Sequence, residues 1–216
     1  MRTIQILVAV GCMFATSMAM TQVKEYDNRE EVTFAIKAGL NYSNVYDSSS
    51  EEFRADPKFG FAGGAVFAFP INKYLGIQPE LLISQKGFKG SGAFLGSQYT
   101  FTRTTTYIDL PIQMSFKPSE FFTIIAGPQY SYLIKQKDVF TSPFINTEHE
   151  QEFKNDNIRR NLLGAVVGVD INVKHIVIGT RAGWDFMDNH GDGSSSTPRY
   201  KNFWLQATIG YIFYNK

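Results

Sequence analysis

Three histidines, His149, His175 and His190, are the residues of this chain best suited to bind a metal or move a proton at neutral pH. Their surroundings supply no partner chemistry. His149-Glu150 begins the string in which two histidines one helical turn apart bind zinc, but Phe153 stands where the second histidine is required. Gly90-Ser91-Gly92 is followed by neither a phosphate-loop Lys-Ser/Thr nor a dinucleotide fingerprint. The carboxylates of DNHGDG, at 188–193, are spaced somewhat like a calcium loop but lack its ligand ladder and its closing Glu. Serine collects at Ser48 to Ser50 and Ser194 to Ser196, in polar stretches that suit solvation rather than a nucleophile. The expectation is a non-enzymatic chain with no catalytic residue, no metal site and no cofactor.

Seven other titratable residues stand out by their setting: Lys37, Glu80, Lys86, Asp109, Asp170, Arg181 and Asp185. Each lies in a run of period two, the pattern of a strand with two unlike faces. In TFAIKAGLNYS, Phe34, Ile36, Ala38, Leu40 and Tyr42 share one face and Lys37 sits on the other. YLGIQPELLISQK sets Leu75, Ile77, Pro79, Leu81 and Ile83 against Glu80 and Lys86, and YIDLPIQMSF sets Ile108, Leu110, Ile112, Met114 and Phe116 against Asp109. LLGAVVGVD and HIVIGTRAGWDF oppose Leu163, Val167, Ile176, Ile178 and Trp184 to Asp170, Arg181 and Asp185. FGFAGGAVFAF (59–69), FFTIIAGPQYSYLI (121–134) and NFWLQATIGYIFY (202–214) bring the expected strands to eight. In the first of these neither face wants water, since Phe59, Phe61, Phe67 and Phe69 back onto Gly60, Ala62, Gly64 and Val66.

The apolar faces carry no Lys, Arg, Asp or Glu, which matters because a basic residue facing lipid near the midplane costs about 2–4 kcal/mol. Short connections at 70–73, 117–120 and about 171–175 alternate with long polar ones at 44–58, 87–98, 136–158 and 187–200. That alternation is the layout of short periplasmic turns and longer external loops. The expected fold is all-β, an eight-stranded antiparallel up-and-down transmembrane β-barrel over residues 33–216. So narrow a barrel has room inside only for side chains. The seven charged residues are then expected to plug the lumen as a salt-bridged network, with Glu80 near Lys37 or Arg181, because an isolated buried charge costs several kcal/mol.

The remaining composition places the chain rather than giving it an activity. Among 216 residues, 21 basic ones balance 20 acidic ones, so no nucleic-acid partner is expected. MRTIQILVAVGCMFATSMA has the positive start, apolar middle and small-residue end of a secretory signal peptide over residues 1–19, with cleavage after Ala19 and a periplasmic tail over 20–32. Cys12, the only cysteine, would leave with it; the rival reading makes Cys12 a lipoprotein attachment site. The expected location is the bacterial outer membrane.

KAGLNYSNV (37–45), the Gly-rich second strand, QPELLISQKG (78–87), YIDLPIQ (107–113), AGPQYSYL (126–133) and the closing GYIF (210–213) together resemble the PorT-like bacterial outer-membrane β-barrel family. The resemblance implies an eight-stranded barrel and, by analogy with the member that gave the family its name, an accessory role in secretion. Leu205, Ala207, Ile209, Tyr211 and Phe213 are similar to the last-strand signal read by the barrel-assembly machinery, although Tyr214-Asn215-Lys216 extend past it. The expected partners are outer-membrane lipid, that machinery, and a protein held at the long loops, where Phe140, Phe144, Ile145 and Phe153 are the candidate contacts. The alternative is a narrow conduit or small-ligand barrel, including a soluble lipocalin-like carrier with its aromatic set turned inward.

Overall fold

A chain that crosses a bilayer must pair every backbone amide within the protein, and a sheet does so only by closing on itself. The computed structural model describes residues 27, 29–46, 55–94, 97–141, 146–150, 158–190 and 199–213, and its sheet closes in this way. The strands are β1 (Thr33–Tyr46), β2 (Ala55–Pro70), β3 (Leu75–Phe94), β4 (Ser97–Ser119), β5 (Phe122–Thr141), β6 (Asn146–Glu150), β7 (Asn161–Val173), β8 (Ile176–Asp185) and β9 (Lys201–Phe213). They run in the order β4-β3-β2-β1-β9-β8-β7-β5, and β4 pairs with β5 to seal an antiparallel ring of eight. The short β6 pairs with the upper end of β5, Lys137 to Thr141, and stands outside the ring. The proposed leader at 1–19 with Cys12, and Phe144, Ile145 and Phe153, lie outside the described residues.

Two stretches expected as loops contain paired strand. Within 87–98, β3 and β4 stay paired up to Phe94 and Ser97, and within 136–158, β5 runs on to Thr141 and turns back as β6. The reason lies in what sorts the side chains. Backbone pairing needs no apolar face, and beyond the acyl region no lipid selects one, so these Ser-, Thr- and Gly-rich extensions read as loop. At the other end, the connection expected over about 171–175 is the pair Lys174-His175, with Lys174 in the left-handed region at φ 54°.

Phe34 pairs with Phe67 on β2 and with Phe213 on β9, which puts both chain ends of the barrel beside the short turns. At that level Phe34 packs against Phe67 and Phe213, with ring centroids 5.0 and 5.6 Å away. Tyr42 packs on Phe59 at 4.9 Å toward the long-loop end. Two aromatic girdles thus bound an outward band of Ile36, Leu40, Leu81, Ile83, Ile112, Ile178 and Ile209, all exposed. A soluble carrier would turn the aromatic set inward. Here Phe59, Phe61, Phe67 and Phe69 are exposed on the outside while Ala62 and Ala68 are buried inside.

Trp184 and Trp204 occupy opposite faces of the same wall. Trp204 is buried at 1% exposure, and its ring lies against Gly183, its register partner, where a Cβ would strike the indole. Trp184 is only half-buried and lines an outward groove with Tyr46 and Phe203. Brominated lipid is therefore expected to quench the emission of the Trp204→Phe variant, which keeps Trp184, and to leave that of Trp184→Phe nearly unchanged. Equal quenching of both would show the register to be wrong.

Candidate functional site in the barrel lumen

Inward positions recur at every second residue, so register brings side chains from strands remote in sequence together inside the ring. In the layer nearer the short turns, Lys37 Nζ donates to Glu80 Oε2 at 2.6 Å and Gln78 Nε2 to Glu80 Oε1 at 3.2 Å. Arg181 Nη2 stands 3.6 Å from Glu80 Oε1. Arg181 also holds Asp170 through both nitrogens, Nη1 to Oδ1 at 2.6 Å and Nη2 to Oδ2 at 3.0 Å. The fork geometry makes this the stronger kind of ion pair. Lys37, Glu80, Asp170 and Arg181 come from β1, β3, β7 and β8, all are buried, and together their formal charges cancel.

A second layer surrounds Lys86. Its Nζ lies 3.2 Å from Asp109 Oδ2 and 3.7 Å from the centroid of the Trp204 ring, with Tyr107 4.9 Å away. An ammonium over an indole face is attracted by the ring quadrupole, so the cation is held by charge and by ring together. Ser84 Oγ donates to Asp109 Oδ2 at 2.6 Å. Asp185 lies at this level as well and accepts from Asn202 Nδ2 at 2.6 Å. Deeper in the wall, Asn41 accepts from Gln206 at 2.9 Å, and its own amide donates to the Gln85 carbonyl at 2.9 Å.

A third layer was not among the sequence candidates. Arg103 on β4 grips Asp138 on β5, Nε to Oδ1 at 2.8 Å and Nη2 to Oδ2 at 2.7 Å, beside the buried rings of Phe88 and Tyr200. The signal for Arg103 was present, since it continues the inward series Asp109, Tyr107, Thr105. Asp138 was hidden by a bulge: Tyr107 pairs with Leu133 but Thr106 with Lys135, so Ile134 is an extra residue and the parity of β5 flips above it.

The other candidates are dispersed. His175 stacks on Tyr211 at the short-turn end, with centroids 5.2 Å apart. His190 is buried at the far end, where its Nδ1 accepts from Arg199 Nε at 3.3 Å. Among the described residues no group of three His, Cys, Asp or Glu side chains is placed to hold a metal ion. Leu205, Ile209, Tyr211 and Phe213 all face outward on β9, with Phe213 against Tyr211 at 5.1 Å. Phe140 is exposed near the upper end of β5.

Several solved structures are similar to this chain. Ail, the attachment invasion locus protein of Yersinia pestis, crystallised with the heparin analogue sucrose octasulfate, shares 16% identity over 85% of this chain and 99% of that one, with a TM-score of 0.47. Neisserial surface protein A shares 12% over 85% and 100%, also at 0.47. OprG of Pseudomonas aeruginosa shares 14% over 88% and 100%, at 0.43. No curated protein matches the chain. Residues 20–191, most of its length, match the family model described as outer membrane protein beta-barrel domain. With a closed eight-stranded wall, an outward apolar band and buried ion pairs in the lumen, the chain belongs to the outer membrane protein beta-barrel domain family.

Proposed function

We propose that this barrel is a non-enzymatic, plugged component of the outer membrane that acts through its external loops, as a structural, adhesion or secretion-accessory protein. The observation that carries the proposal is the lumen itself. Two cations and two carboxylates from four strands neutralise one another across it, with Lys37 and Glu80 2.6 Å apart and Arg181 and Asp170 equally close. Passage of an ion past this layer would require parting buried pairs, and leaving one member of such a pair alone costs about 3–5 kcal/mol. The narrower likeness to the PorT-like family, carried by QPELLISQKG and YIDLPIQ, favours the secretion-accessory version. In this reading the leader is cleaved after Ala19, the assembly machinery reads the last strand, and protein partners meet the face near Phe140 and the adjoining loop.

The purified protein in a planar bilayer is expected to give no discrete conductance steps. Steady ohmic steps at fixed size would replace the plug by a conduit. In cells, replacing residues 142–157 with a short Gly-Ser linker is expected to leave the barrel folded and to reduce secretion or surface adhesion. Unchanged levels of both would remove the loop-mediated role.

A further inference from the structure

On the outer surface near the long-loop end, three strands gather aromatic rings around one hollow. Asn44 on β1 pairs with Phe203 on β9, and Phe203 with Trp184 on β8, so the three stand in one outward row. Tyr46 lies two residues further along β1 and donates its hydroxyl to the Asp185 carbonyl on β8. Its ring is thereby held over β9, the strand between. Asn44, Val45, Tyr46, Trp184 and Phe203 line a groove of about 400 Å³, within the range of small-molecule sites.

Depth limits what can reach this groove. Tyr42 belongs to the upper girdle, and Asn44 and Tyr46 follow it by two and four residues, about 7 and 14 Å along the strand. Barrel strands are tilted, so the rise is about 5 and 10 Å. A headgroup layer is about 5–8 Å thick on each side of the hydrocarbon. The groove therefore starts at the girdle and opens among headgroups, above the acyl chains.

Its lining suits a sugar. The faces of Trp184, Phe203 and Tyr46 are electron-rich and attract the partly positive C–H groups of a saccharide ring. Asn44 Nδ2 gives one hydrogen to the Ala55 carbonyl at 3.3 Å, and its Oδ1 accepts the Val45 N–H at 2.9 Å. One amide hydrogen and one lone pair remain for a hydroxyl. Charge lies on both sides. Lys201, the register partner of Tyr46, holds its Nζ 6.0 Å from the centroid of that ring. Across β1, Lys58 and Lys89 adjoin the register partners Pro57 and Phe88 on β2 and β3. Among the described residues neither of these two has a carboxylate partner: Lys58 Nζ donates to the Phe59 carbonyl at 3.2 Å, and Asp56, in register with Lys89, makes no ion pair with it. At the opposite rim the signs meet, since Asp27 is shared by Arg29 at 2.8 Å and Lys73 at 3.2 Å.

We propose that this groove binds the phosphorylated sugar headgroup of a glycolipid in the outer leaflet. The sugar ring lies against Trp184 and Phe203 beneath Tyr46, Asn44 meets a hydroxyl, and Lys201, with Lys58 and Lys89 beyond it, meets phosphate. A phospholipid without a sugar satisfies the lysines and leaves the rings unfilled. The site depends on the outer-membrane setting of the chain and on neither the plug nor the loop-mediated role.

The test reconstitutes the purified full chain in phosphatidylcholine vesicles containing increasing fractions of diphosphoryl lipid A. With Trp204→Phe, Trp184 is the remaining tryptophan. Its emission is expected to shift saturably with lipid A and far less with phosphatidylglycerol at equal charge. Lys201→Gln is expected to raise the half-saturating fraction about fivefold, the worth of one lysine beside an anionic lipid, and Phe203→Ser to abolish saturation. Because Trp204 is buried, a second measurement leaves it in place: lipid A phosphorus retained through detergent washing is expected to fall in Phe203→Ser and in Lys201→Gln. Equal responses to lipid A and phosphatidylglycerol would overturn the sugar site. A lipid A response that neither variant alters would overturn the groove as its location, and no saturable shift with no retained lipid A would overturn the proposal altogether.

Discussion

Glu80→Ala is expected to destabilise the folded barrel by about 3–5 kcal/mol, because it removes one partner from a buried ionic cluster and leaves the others where they are. Glu80 is 3% exposed and faces two cations, Lys37 at 2.6 Å and Arg181 at 3.6 Å. Arg181 keeps Asp170 after the change, so the orphan is Lys37, whose ammonium then lies in the lumen without its closest carboxylate. The effect separates into a charge part and a packing part. Glu80→Gln keeps the volume and loses the charge, and is expected to carry most of the loss. Combining Glu80→Leu with Lys37→Met removes both charges and is expected to recover most of it, since a buried pair replaced by apolar groups of similar size is often neutral or stabilising. Urea unfolding from lipid vesicles measures all of these. If the double variant cost as much as the two single ones together, Lys37 and Glu80 would not be coupled and the description of this layer would fail.

The sequence made this cluster visible only in part, for a physical reason. Which residues face inward follows from alternation, because lipid on one side and a narrow lumen on the other impose opposite demands on adjacent positions. Lys37, Glu80 and Arg181 could be placed inside from their neighbours alone. Which of them touch depends on the stagger of β1 against β2 and of β7 against β8, and that stagger arises when the ring closes, from eight strands at once. The Lys86–Trp204 contact illustrates the gap: Trp204 and Gly183 are register partners, and the missing Cβ of Gly183 makes room for the indole on which Lys86 rests. No period in either strand announces it. The taller part of the barrel was illegible for a different reason, since Phe88 to Phe94 and Ser97 to Arg103 stand where no acyl chains sort the faces, and a Gly- and Ser-rich strand there looks like a loop. The bulge at Ile134 reverses the parity of β5, and it is this reversal, invisible in a period-two reading, that turns Asp138 inward to Arg103.

Ile209→Arg is expected to be the most damaging single change on the outer surface. Ile209 is 58% exposed on β9 and pairs with Ala38, midway between Phe34 at one girdle and Tyr42 at the other. Leu40 on β1, 56% exposed, flanks the same midplane from the neighbouring strand. An arginine at either place puts a guanidinium into hydrocarbon and is expected to cost about 2–4 kcal/mol in refolding measured in lipid vesicles. A loss under about 1 kcal/mol for both would mean that this band does not face lipid. The pair also separates depth from assembly. Both variants meet the same hydrocarbon, but only Ile209 belongs to the last strand, with Leu205, Tyr211 and Phe213. If the assembly machinery reads that strand, the level of Ile209→Arg in the outer membrane falls well below that of Leu40→Arg although their refolding costs match. Equal levels in cells would leave Phe213 and its neighbours as girdle residues that anchor the wall and carry no address.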